Sequence, residues 1–210
     1  MYTSINKCLA NLKGDLSGLR KLDSTTQSQF GGASGKTGAI AKGQFHLLTE
    51  AIFFAAFRSY EQFLSNVFLL YCSGFQRSSR RLVRTYLQPK TLGHAEELVK
   101  SSMPFLDWSS PNVLIERSET YLKDGYPIKD SLTLHVEKLN DLKRIRNHIA
   151  HMSTASLSEY KKVLRRHFSV IPLKIPLPGE FLLLSSRSTP GTYYLLEYID
   201  LIEEVAEQIC

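Results

Sequence analysis

The 210-residue chain has few of the features that mark an exported or membrane-bound protein. Its cysteines, Cys8, Cys72 and Cys210, are three in number and widely spaced, without a CxxC pair. Such a set builds neither a disulfide framework nor a zinc site, and the three read as reduced cytosolic thiols. Long apolar runs are missing as well. The longest, Ala51 to Phe57, is bounded by Glu50 and Arg58 and falls well short of the roughly 18 residues that a bilayer crossing needs. Where a signal peptide would place its apolar stretch stand Lys7, Lys13 and Asp15, so secretion is not expected and the expected location is the cytoplasm. His46, His94 and His135 have no ligand-like spacing, so no metal and no cofactor are expected. Charge is only mildly one-sided: 26 Lys and Arg against 20 Asp and Glu give a net charge of +6. That balance favours an anionic partner without identifying one.

What is present is a chain rich in helical patterning. Ile5, Leu9, Leu12, Leu16 and Leu19 recur at steps of three and four over residues 2–22, which predicts an amphipathic helix, weakened by Gly14 and Gly18. Five of the twelve glycines fall between Gly31 and Gly43, predicting a mobile loop. Residues 1–43 are thus an expected helical arm with its loop. From Gln44 to about Tyr71 the sequence lacks proline and glycine and is crowded with Leu, Ile, Phe and Tyr, the pattern of one long buried helix. Further helices are expected at 92–102, 111–123, 131–152 and 156–168, separated by prolines and glycines, with 76–87 left open. Residues 44–168 therefore read as a helical bundle. Beyond Phe168, Pro172, Pro176 and Pro178 among Val, Ile and Leu predict a small extended, β-hairpin-like cap over 169–184. A final helix follows from Leu195, so that 169–210 forms cap plus helix. The expected fold class is mainly α.

The stretch richest in chemistry is Lys143-Arg144-Ile145-Arg146-Asn147-His148-Ile149-Ala150-His151. At about 100° per residue, Leu142, Ile145, Ile149 and Met152 form an apolar stripe, while Arg144, Asn147 and His151 share one polar face. Arg146 falls on the border. Arginine clamps phosphate while staying charged, an amide donates and accepts hydrogen bonds, and histidine titrates near neutral pH. Together these are parts for cleaving RNA without a metal, the ribose 2′-OH supplying the nucleophile. One chain offers half of such a site, and two-fold pairing with a second copy would complete it.

The run Arg146-Asn147-x3-His151 resembles the Arg-x4-6-His motif of the HEPN superfamily, in which a polar residue typically follows the arginine. The earlier segment Phe57-Arg58-Ser59-Tyr60-Glu61-Gln62-Phe63-Leu64 is similar to the aromatic, Glu, x, aromatic, Leu helix of its nuclease-like branches, the RiboL-PSP type among them. The resemblance covers roughly residues 44–168 and implies a HEPN-like helical bundle. It further implies a homodimeric, metal-independent endoribonuclease that cuts RNA, either tRNA or mRNA, in a toxin–antitoxin or phage-defence setting with an antitoxin or other regulatory protein. On the matching positions His151 is the catalytic histidine, Arg146 the phosphate-contacting arginine and Asn147 the polar helper. Since four to six residues can intervene, Arg144 is an alternative for the arginine, and His148 and Glu61 are candidate supporting residues. Many members of the superfamily are noncatalytic modules that dimerise and bind a partner, which is the rival reading.

Three further features have two readings each. If residues 76–87 are helical, Arg77, Arg80, Arg81 and Arg84 lie on one side, suited to RNA phosphates with Tyr86 as a stacking group, or else a solvated face. Lys161, Lys162, Arg165, Arg166 and His167 form a second basic run with the same ambiguity. Gly31-Gly32-Ala33-Ser34-Gly35-Lys36-Thr37 invites a phosphate-loop reading, but the motif's first glycine would have to be residue 30, which is phenylalanine.

Overall fold

The computed structural model describes residues 4–30, 41–74, 77–78, 81–101 and 107–210. The glycine-rich segment 31–40, which includes the phosphate-loop look-alike, lies outside the described residues. Among those described, the fold is mainly α, with eight α-helices and one two-stranded pairing.

Helix α1 spans Ile5–Phe30 and α2 spans Lys42–Cys72. In α1 the buried stripe of Ile5, Cys8, Leu12 and Leu16 continues through Asp23 and Thr26, two polar residues that are also buried. Hydrophobic periodicity therefore ends before the helix does. Gly14 and Gly18 sit in open space on its exposed side and do not break it. Helices α3 (Leu92–Lys100), α4 (Pro111–Tyr121) and α5 (Ile128–His151) follow. Thr91 caps α3 by accepting from the His94 amide at 3.1 Å. Pro111 opens α4 at the first-turn position where its missing N–H is harmless.

Helix α6 (Thr154–Phe168) starts at a reciprocal cap: the Ser153 side chain accepts from the Ser156 amide, and Ser156 Oγ accepts from the Ser153 amide. It ends at Ser169 in the left-handed conformation. Helices α7 (Pro178–Leu182) and α8 (Tyr194–Ile209) complete the chain. Residues 169–177 form no strand. The hairpin-like closure lies later, as a single antiparallel bridge between Ser185 and Tyr193, and Pro178 opens a short helix where extended chain was expected.

The chain divides into two compact units. One comprises Met1–Lys13, Ser59–Asn140 and Glu203–Cys210; the other comprises Gly14–Arg58 and Asp141–Ile202. In the first, Phe68 meets Trp108 and Tyr121 edge-on, with ring centroids 5.6 and 6.5 Å away. The Tyr71 hydroxyl donates to the Ile209 carbonyl at 2.7 Å. In the second, Phe53 meets Tyr198, and Phe181 stacks on Tyr194 at 4.7 Å. There Glu50 accepts from the Gly179 amide at 2.9 Å.

None of the described residues among 76–87 is helical. Strands β1 (Arg77–Ser78) and β2 (Arg81–Leu82) pair antiparallel, and the chain runs on without helix to a bend at Tyr86. The reason is tertiary. Val83 is buried between exposed neighbours, and Thr85 bridges Leu122. That alternation has the period of a strand, and packing overrides any helical arrangement of the arginines. Arg77, Arg81 and Arg84 therefore share no helix face. Arg80 lies outside the described residues; Arg81 and Arg84 are exposed.

Candidate active site

Helix α5 runs unbroken through His151, so the angular placement of its side chains follows from 100° per residue. Leu142 and Ile145 are fully buried and Ile149 is half-buried, as the apolar stripe requires. Met152 departs from it. At φ 45° it has left the helix, and its side chain is exposed.

Arg146 is half-buried. Its guanidinium donates to Asn147 Oδ1 at 3.0 Å and lies over the rings of Phe54 and Phe57, 5.5 and 5.8 Å from their centroids. A planar, delocalised cation is weakly hydrated and stacks well on aromatic faces, which suits arginine to this place and would not suit lysine. Asn147 thus orients the guanidinium of its neighbour.

His151 is the last residue of α5 and is exposed, and its side chain makes no hydrogen bond or ion pair among the described residues. Five positions separate it from Arg146, so the two side chains diverge by about 140° around the helix. Within one chain they do not face a common point.

Arg144 does share the face of His151, but its charge is engaged. It donates to Asp141 Oδ1 at 3.1 Å and to Glu159 Oε2 at 3.3 Å. His148 is buried, its Nδ1 3.0 Å from Ser156 Oγ and its ring stacked on Tyr160 at 4.9 Å. Burial disfavours the imidazolium and lowers its pKa, so this ring is a neutral strut between α5 and α6. Glu61, half-buried on α2, belongs to the other compact unit.

Sequence reasoning missed the strongest electrostatic feature of this region. Asp141, only 1% exposed, gathers Arg144 at 3.1 Å, Arg166 at 3.1 Å and His167 at 3.7 Å. The same His167 nitrogen lies 3.2 Å from the Tyr198 hydroxyl. Arg166 and His167, read from the sequence as members of a basic run, therefore both stand beside a buried carboxylate. The available signal was an acidic residue next to Leu142 in the apolar stripe, three positions before an arginine.

Among the described residues there is no group of three or more His, Cys, Asp or Glu side chains placed to hold a metal ion, and no helix long and apolar enough to cross a membrane. No family model, curated protein or solved structure matches the chain.

Proposed function

We propose that this protein is a metal-independent endoribonuclease of HEPN type, acting in the cytoplasm as a toxin or phage-defence effector under the restraint of a partner protein. The observation that carries the reading is the pairing of Arg146 with Asn147 one and a half turns before an exposed, unengaged His151 at the end of α5. An exposed imidazole at a helix end is accessible to a polymer substrate, whereas His148 is not.

In this reading a base takes the proton of a ribose 2′-OH, and the O2′–P bond forms as the P–O5′ bond breaks. An acid then protonates the departing O5′. The products are a 2′,3′-cyclic phosphate and a 5′-hydroxyl. His151 serves as base or acid, and Arg146 stabilises the charge on the phosphoryl oxygens. Because the two side chains diverge on one helix, the site requires a second copy, whose own Arg146 and His151 supply the missing halves.

A second reading is favoured by one observation. The half-buried guanidinium of Arg146 over Phe54 and Phe57 is what a structural arginine looks like. The protein would then be a noncatalytic HEPN module that dimerises and binds a partner. Incubation of wild type and His151→Ala with labelled tRNA and mixed cellular RNA in excess EDTA separates the two. Cleavage by wild type alone, leaving cyclic phosphate ends, supports the ribonuclease. Intact RNA with a persistent dimer in both samples supports the module.

A further inference from the structure

The ribonuclease reading makes no use of a cavity of about 300 Å³ in the first compact unit, lined by Arg81, Leu82, Arg84, Lys123 and Tyr126. Backbone pairing builds it. The Lys123 amide donates to the Arg84 carbonyl at 2.8 Å, and the Tyr86 amide donates to the Tyr121 carbonyl at 2.9 Å. Thr85 Oγ1 donates to that same carbonyl at 3.0 Å. These bonds fix Arg84 beside Lys123 whatever rotamers the two side chains adopt.

Among the described residues, neither Arg84 nor Lys123 is paired with a carboxylate. The third cation, Arg81, lies over the Tyr126 ring at 4.4 Å, and its approach to Asp124 is long, at 3.8 Å. Like charges held together repel, and a bound anion turns that repulsion into attraction. Arginine adds the forked donor geometry that matches phosphate oxygens.

A second observation points from a simple anion to a strand. Along the extended segment Val83 is buried, Arg84 exposed, Thr85 half-buried and Tyr86 exposed. Two residues beyond the phosphate-seeking guanidinium of Arg84, at a bend, stands an aromatic ring that is 63% exposed. Cations that track a backbone beside an aromatic platform for a base are the two components of single-strand recognition.

We infer that this cavity binds a single RNA strand, with Arg84 and Lys123 on its phosphates and Tyr86 beneath a base. That the strand is RNA rests on the ribonuclease reading; the phosphate chemistry does not. The test is fluorescence anisotropy of a labelled single-stranded RNA with the full chain carrying His151→Ala, in EDTA so that no turnover intervenes, across a salt series.

Arg84→Ala with Lys123→Ala should weaken binding about 10-fold or more and reduce the slope of log affinity against log salt by about 0.7 per cation removed. Tyr86→Ala, which alters no charge, should weaken binding about 5-fold or more at an unchanged slope. Excess inorganic phosphate should compete with the parent protein and not with the double variant. Unchanged affinity and slope in a double variant with unaltered circular dichroism overturns the proposal. Strand binding through the cavity without cleavage by wild type would sink the ribonuclease reading alone, and cleavage with pocket-independent binding would sink this one alone.

Discussion

Asp141 Oδ1 and the Arg144 guanidinium stand 3.1 Å apart, and the other carboxylate oxygen lies 3.1 Å from Arg166. One buried carboxylate therefore holds two arginines from successive helices, and α5 and α6 are joined electrostatically as well as by packing. Removing it takes the buried carboxylate from two cations whose side chains are 24% and 37% exposed, while Arg144 keeps Glu159. Asp141→Ala should cost about 2–4 kcal/mol of unfolding free energy, less than for a fully buried pair because water reaches both arginines. Urea denaturation monitored by circular dichroism reads this directly, and a loss below about 1 kcal/mol would contradict the hub.

The two motif residues should separate by phenotype. His151 is exposed and unengaged, so His151→Ala is expected to change stability by no more than ordinary surface substitutions do, about ±0.5 kcal/mol, while on the ribonuclease reading it abolishes RNA cleavage. Arg146→Ala removes a guanidinium packed on Phe54 and Phe57 and should lower both activity and stability. Arg146→Lys keeps the charge but loses the planar stack, so stability is expected to recover only in part. Thermal melts of the three variants beside their cleavage assays test the distinction.

Gly179 has no room for a side chain. A Cβ there would come within 2.4 Å of the His46 carbonyl oxygen, a backbone atom. Glu50, buried in the same unit, accepts from the Gly179 amide and depends on that close approach. Gly179→Ala should therefore destabilise by about 1–3 kcal/mol through overpacking, despite alanine's smaller backbone entropy cost. A thermal midpoint equal to that of wild type would contradict the contact.

Stability should fall in mild acid partly through His148. Its folded-state pKa is lowered by burial, so the unfolded chain takes the proton first. The contribution is fully present above the ordinary histidine value of about 6.5 and is lost as pH falls through the lower folded value. Chemical denaturation between about pH 5 and 7.5 should show a shallower acid decline in His148→Gln than in wild type.

The thiols should be inert in the native protein. Burial pushes Cys8 up to about 11 and both Cys72 and Cys210 up to about 12, so none carries appreciable thiolate near neutrality. A thiol reagent at about pH 8 should label none of the three without denaturant and all three with it.

Helix positions were legible where the pattern and its punctuation agreed. Gln44 to Tyr71 has no breaker and forms α2, and Pro111 marks the start of α4, whereas α6 begins at the Ser153 cap, ahead of the expected position. The pattern misled in two places. Asp23 and Thr26 are buried polar residues that extend α1 beyond its apolar stripe. The arginines after Gln76 matched a helical period, yet Val83 and Thr85 are held extended against residues 121–123.

The sequence by itself determined the mainly α class and the motif at the end of α5, because helical periodicity, caps and breakers act over a few residues and are written locally. Tertiary structure decided which charges are engaged. Arg144, Arg166 and His167 turn toward Asp141 while His151 stays exposed, and Arg84 meets Lys123 across a backbone pairing that spans 39 positions. Those outcomes depend on which distant segments exclude water together, and burial is what makes a carboxylate gather cations and leaves an unmatched pair of cations ready for an anion.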